Sequence, residues 1–218
     1  KGRGREPISG RLVADLWKAA GADRIMSVDL HAAQIQGFFD GPVDHLFAKP
    51  VLLEYFERTL SAEDRADLTV VSPDTGRVRV ADTWSDSLGA PLAIIHKRRD
   101  PNVANQITVN EIVGHVDGRV CLLVDDMIDT GGTIVKAAQA LKKSGAKKVI
   151  VAATHAIFSD PAAERLQDVS IDEVVVTDSV PIPEEKRFPS LTILPIAPLL
   201  ARAVHEVFED GSVTSMFD

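Results

Sequence analysis

The sequence has only one cysteine, Cys121. That rules out an intramolecular disulfide framework and makes a reducing cytoplasm the expected setting. No apolar run approaches the ~20 residues that cross a bilayer, so no membrane segment is predicted. Positive charge is in deficit, with 24 Lys and Arg against 32 Asp and Glu and a formal charge of −8. That balance argues against a general nucleic-acid or membrane-surface binder and requires any anion to be met by local donors. The opening KGRGR has no apolar region behind it and is expected not to be a signal peptide. Repeats and low-complexity tracts are missing too. What is there is ordinary for a soluble globular chain: 218 residues, 45% hydrophobic and 26% charged. Such a length suits one large or two small domains.

Strand-like apolar runs alternate with segments of helical period, the pattern of an α/β fold with a mainly parallel sheet. Helices are expected over residues 7–20, 50–59, 77–87, 132–143, 161–168 and 197–208. Strands are expected over residues 24–28, 68–71, 91–95, 120–124, 148–153, 173–177 and 191–194. In the first helix Leu12, Val13, Leu16 and Trp17 form the apolar face, with Pro7 in the first turn and Gly21 at the stop. Two stretches read as loops. Residues 97–105 (KRRDPNVAN) begin with a basic cluster, and residues 178–189 carry three prolines.

The strongest local signal is CLLVDDMIDTGGTI, residues 121–134. An apolar strand ends in Asp125 and Asp126, then passes through Asp129, Thr130, Gly131, Gly132 and Thr133 into a helix. Two glycines let the backbone turn tightly and bring its N–H groups close to a ligand. The threonines add hydroxyl donors, and the helix presents the positive end of its dipole. That combination suits a monophosphate. Carboxylates at the end of such a strand either accept hydrogen bonds from vicinal sugar hydroxyls or hold a hydrated cation.

This segment resembles the ribose-5-phosphate motif shared by phosphoribosyltransferases and ribose-phosphate diphosphokinases. The resemblance implies that Asp125 and Asp126 face ribose hydroxyls while Asp129 through Thr133 cradle the 5-phosphate. A second segment chooses between the two groups. In residues 27–50, SVDLHAAQIQGFFDGPVDHLFAKP, a strand delivers Asp29 and His31 to a loop, where they could hold a metal or contact a nucleotide phosphate. The run DLHAAQIQGFFD, followed by PVDHL, is similar to the signature of ribose-phosphate diphosphokinases and is foreign to phosphoribosyltransferases. REPISGRLVADL, VVSPDTGRVRVAD, ATHAIFSDPAAERL and GSVTSMF agree in the same order along the chain.

That resemblance implies a phosphoribosyltransferase-like α/β fold with helices on both faces of the sheet. It also implies transfer of diphosphate from ATP to the C1 hydroxyl of ribose 5-phosphate, with Mg2+ as cofactor and AMP as the leaving group. His31 and Asp74 would serve the metal, and Lys97 and Arg99 would stabilise the transition state. Arg5, Ser212, Thr214 and Phe217 match an allosteric phosphate or nucleotide site. Gln34 and Gln36 are expected to shape the loop after His31. One departure stands out: many relatives carry two glycines after the aspartate corresponding to Asp74, whereas this chain runs Thr75, Gly76, Arg77. Family members are longer and hexameric. Residues 1–45 are accordingly expected to be the remainder of an N-terminal domain with its catalytic loop, residues 46–200 a C-terminal phosphoribosyltransferase-like domain, and residues 201–218 a helix and tail returning to the N-terminal domain. A phosphoribosyltransferase and a non-catalytic regulatory homologue are the alternatives.

Overall fold

The computed structural model describes residues 8–99 and 108–217, so Arg5 lies outside the described residues. The chain divides into two compact units, residues 1–48 with 199–218, and residues 49–198.

In the first unit, α1 (Ser9–Ala19) is followed by β1 (Ile25–Val28), a 3-10 helix over Ala33–Phe38, and β2 (Val43–Leu46). The two strands pair in parallel, Ile25 opposite Val43 and Val28 opposite Leu46. Gly21, at φ +92, turns the chain out of α1 in a conformation that a side chain resists. Phe39, Leu46 and Ala48 are buried. The apolar stripe of α1 is not: Leu12, Leu16 and Trp17 remain half or more exposed.

The second unit is built on a seven-stranded sheet. Its elements in order are α2 (Lys49–Thr59), α3 (Ala62–Ala66), β3 (Leu68–Ser72), α4 (Val78–Leu88), β4 (Leu92–Arg99), β5 (Thr108–Val113), β6 (Val120–Ile128), α5 (Gly132–Lys143), β7 (Lys148–Ala156), α6 (Ala162–Arg165), β8 (Glu173–Thr177) and β9 (Leu191–Leu194). α7 (Ala197–Phe208) then leads back into the first unit. The strand order is β5-β4-β3-β6-β7-β8-β9, all parallel except β5. Strands buried on both faces explain the near-continuous runs of Val, Ile, Leu and Ala in β3, β6 and β7.

Helices cover both faces. Val71, Leu123, Val151 and Val174 lie in one row across the sheet and share a core with Ile134, Ala137, Ala138 and Leu141 of α5. Glu173, next to Val174 and so on the opposite face, accepts a hydrogen bond from the Tyr55 hydroxyl of α2 at 2.5 Å. On the same helix, Phe56 packs against Trp84 of α4 with ring centroids 6.3 Å apart.

Four expected elements match their bounds: Gly132–Lys143, Glu173–Thr177, Leu191–Leu194 and Ala197–Phe208. Others change. The start of the basic loop is strand: Lys97 to Arg99 extend β4 and pair with Asn110 to Thr108 of β5. A hairpin partner satisfies their backbone groups, which a reading of side-chain polarity misses. β6 and β7 each run three or four residues past their expected ends, because they pair with each other through Ile128 and Ala156. The expected helix over 161–168 contracts to Ala162–Arg165, where a turn stabilised by Asp168 takes over: the Ser170 N–H donates to Asp168 Oδ1 at 2.9 Å.

Candidate functional site

The sheet order reverses between β3 and β6. From β3 the chain crosses through α4 to β4 on one side, and from β6 through α5 to β7 on the other. Where successive crossovers diverge in this way, a crevice opens beyond the carboxyl ends of the two strands. β3 pairs with β6 only as far as Val71 with Leu123, whereas β7 follows β6 to its end. Asp125 and Asp126 therefore stand on a strand whose β3 neighbour has already left.

The loop after β6 has the form expected of an anion cradle. Gly131 adopts φ +73 and serves as the N-cap of α5. Only glycine takes that conformation without steric cost. The first N–H groups of α5 have no intrahelical acceptor, and the helix dipole adds partial positive charge there. Asp129, Thr130 and Thr133 are exposed at the lip while Gly131 is buried. Beneath the loop lies α6. Arg165 donates to the Thr130 carbonyl at 3.1 Å, and a Cβ on Gly131 would meet Leu166 and Ala162. Neither contact could be read from the motif.

The acid pair has a counter-cation. Arg77 brings Nε to 3.4 Å from Asp125 Oδ1 and a terminal nitrogen to 2.6 Å from Asp126 Oδ2. Burial, reinforced by the neighbouring Asp126 carboxylate, pushes the Asp125 carboxyl up to about 7. The Asp126 N–H, donating to Asp125 Oδ1 at 2.9 Å, and the Arg77 guanidinium oppose that rise. Asp74 meets the backbone of the same arginine. Its Oδ1 accepts the N–H groups of Gly76 at 2.8 Å and Arg77 at 3.1 Å, closing the turn that starts α4. Asp74 and the Asp125–Asp126 pair thus meet the same arginine, at the carboxyl ends of β3 and β6, with the loop into α5 following directly. Lys97 and Arg99 lie at the carboxyl end of β4, the next strand beyond β3.

In the first unit, Asp29 sits at φ +42 just beyond β1, and His31 is exposed in the following turn. The support comes from β2. His45 Nε2 accepts the Leu30 N–H at 2.9 Å, and Asp29 Oδ2 accepts the Ala48 N–H at 3.0 Å. Gln36 Nε2 donates to the Ala33 carbonyl at 3.1 Å and lies 3.2 Å from His45 Nδ1, within the loop that Gln36 is expected to shape. Burial lowers the pKa of His45, with Asp29 opposing. In the tail, Ser212 caps the turn over Thr214–Met216, and Phe217 packs edge-on against Phe47 at 5.5 Å. His155, at the end of β7, contacts Ser179 Oγ at 2.9 Å and so ties β7 to the loop after β8.

Among the described residues no group of three or more His, Cys, Asp and Glu side chains could hold a metal unaided. Mg2+ tolerates that poverty, since it keeps several waters and commonly takes one or two carboxylates beside phosphate oxygens. No helix among the described residues is long and apolar enough to cross a membrane.

Comparison with known proteins agrees with this arrangement. Residues 101–218 match a family described as the phosphoribosyl synthetase-associated domain. The whole chain is 65% identical to the ribose-phosphate pyrophosphokinase of Streptomyces avermitilis and spans 66% of that protein's length. Against the enzyme of that name from Mycobacterium leprae the identity is 58%, again over 66% of the relative. The crystal structure of phosphoribosylpyrophosphate synthetase from Mycobacterium smegmatis superposes with a TM-score of 0.87 at 59% identity, covering 97% of this chain and 67% of that one. With likeness of sequence and backbone running from end to end, this chain belongs to the ribose-phosphate pyrophosphokinase family.

Proposed function

We propose that the chain carries the sugar-phosphate half of a reaction in which ATP transfers diphosphate to the C1 hydroxyl of ribose 5-phosphate, giving phosphoribosyl diphosphate and AMP. The observation that carries this reading is that a glycine-turned helix N-terminus and a pair of largely buried carboxylates lie on one strand-loop-helix unit. Asp129 through Thr133 hold the 5-phosphate, and Asp125 and Asp126 accept the ribose hydroxyls. The C1 hydroxyl attacks the β-phosphorus of ATP in line with the departing AMP oxygen. Such a transfer needs positioning and charge neutralisation more than covalent help.

Asp74 and His31 are the residues that would hold Mg2+, which would supply neutralisation of phosphate charge. Asp74 offers it a carboxylate oxygen. His31 offers a ring nitrogen, which serves a nucleotide phosphate better than it serves a hard cation. Lys97 and Arg99 supply positive charge to the transition state. Arg5, Ser212, Thr214 and Phe217 form a regulatory anion site. Residues 46–200 act as the catalytic domain of a cytoplasmic homo-oligomer, a hexamer by analogy with the family.

The test is AMP release from ATP and Mg2+ with and without ribose 5-phosphate, with the sugar product identified by phosphorus NMR and sugar binding measured separately by calorimetry. Ribose-dependent AMP together with a C1 diphosphate is the expected result. Sugar binding without AMP from this chain, or from one extended to its relatives' full length, would leave a sugar-phosphate-binding homologue as the better account.

A further inference from the structure

Two carboxylates at the end of a strand suit two kinds of ligand, sugar hydroxyls or a hydrated divalent cation. The side chain lying across them decides between these. Arg77 reaches Asp125 with Nε at 3.4 Å and Asp126 with a terminal nitrogen at 2.6 Å. All three side chains are largely buried, 16%, 17% and 9% exposed. A guanidinium is always charged, planar and rigid, and its fork fits the in-plane lone pairs of carboxylates. A divalent ion that coordinated either acid directly would sit against this fixed positive charge. It would also displace the guanidinium from the two acids it contacts.

Hydroxyl donors meet no such obstacle. Each carboxylate has about four lone-pair positions; Arg77 takes one from each and the Asp126 N–H takes another on Asp125 Oδ1, and a neutral hydroxyl donor adds to such a set without opposing the guanidinium charge. Arg77 also links the pair to Asp74: its backbone N–H donates to Asp74 Oδ1 at 3.1 Å while its side chain contacts Asp125 and Asp126.

We infer that Arg77 is a specificity-determining residue that dedicates the Asp125–Asp126 pair to neutral hydroxyl donors and bars a divalent cation from direct coordination there. The sugar half of this statement rests on the ribose 5-phosphate reading; the cation half does not.

The experiment uses Mn2+ alone as the probe, with binding followed by electron paramagnetic resonance on wild type, Asp126→Asn, Arg77→Met and the double variant Arg77→Met/Asp126→Asn. Metal-free calorimetry with ribose 5-phosphate runs in parallel. In wild type, Asp126→Asn should leave Mn2+ binding unchanged. Arg77→Met should gain one Mn2+ per chain, lost again in the double variant, and should bind ribose 5-phosphate about tenfold more weakly. If Arg77→Met does not fold, Arg77→Gln carries the test: a neutral amide keeps polar contacts but places no positive charge on the acids, so Mn2+ should bind it more tightly than wild type. Wild-type Mn2+ binding that disappears in Asp126→Asn would overturn the inference, as would a folded Arg77→Met, or failing that Arg77→Gln, with no gain of Mn2+. A wild-type chain that binds no ribose 5-phosphate would sink the sugar reading, while the Mn2+ arm still decides the exclusion.

Discussion

Arg165 donates to the carbonyl of Thr130 at 3.1 Å, and this bond fixes the orientation of that peptide in the loop after β6. In a trans peptide the C=O and the following N–H point in opposite directions. A carbonyl held down toward α6 therefore turns the Gly131 N–H away from it, toward the crevice.

Replacing Arg165 with Met keeps the aliphatic stem and removes the donor. Ribose 5-phosphate should then bind about tenfold more weakly, equivalent to about 1.4 kcal/mol. The fold should lose less than about 1 kcal/mol, since Arg165 is exposed. Calorimetry and urea unfolding read the two effects separately. Unaltered affinity would show that the loop holds its orientation without this contact.

Adjacent glycines in the loop should behave differently. Gly131 sits at φ +73, where a Cβ costs about 1–2 kcal/mol, so Gly131→Ala should lower both stability and sugar-phosphate affinity. Gly132 begins α5, and a Cβ there meets only Arg165 at 3.6 Å, an ordinary contact. Gly132→Ala should change unfolding stability by no more than about 0.5 kcal/mol. Equal losses for the two variants would refute the conformational argument.

Asp125 gives the second unit a definite pH dependence. Its carboxyl titrates near 7 in the fold against an ordinary value of 3.8. Below the ordinary value both states are protonated and there is no penalty. Between there and about pH 7 the unfolded chain has released its proton while the folded one retains it, so stability falls as pH rises, and it levels off above. Asp125→Asn removes this cost while keeping an oxygen for the Asp126 N–H. Its stability advantage over wild type should grow by at least about 1 kcal/mol between pH 5 and pH 8. Parallel stability curves would show that the pair is not charged in the way described.

His45 should control the turn carrying His31. Only a neutral imidazole can accept the Leu30 N–H, and burial favours that form by lowering the pKa of His45. Amide exchange at Leu30 should be slow near neutrality and quicken as pH falls through that lowered value, beyond the ordinary pH dependence of exchange. His45→Ala should remove the protection at every pH and cost about 1–2 kcal/mol, the range for an orphaned, partly buried donor. Slow exchange at Leu30 in the variant would assign the turn's order to other contacts.

What could be read from the sequence follows the range of the forces involved. The unit from β6 through α5 is local: an apolar run, glycines and a helical period occur in consecutive residues, and α5 matches its expected bounds. β2 was not legible, since the four residues Val43–Leu46 between a Gly-Pro and a Lys-Pro carry too little pattern until β1 pairs with them. Arg77 shows the same limit within the site. In the sequence it is a departure from two glycines; only the meeting of β3 and β6 makes it the partner of Asp125 and Asp126. Arg165 and His45 were invisible for the same reason, because each acts on a backbone group far away along the chain.

The reversal of strand order at β3 and β6 has a consequence for the birth of the protein. The turn at Asp74 is synthesised well before the strand that carries the acid pair, with α4, β4 and β5 emerging between them. A nascent chain lacking β6 has neither the acid pair nor the loop that turns into α5, so any ligand of that region can stabilise only molecules whose central strands have already come together. Such a ligand would favour completed chains over partly folded ones.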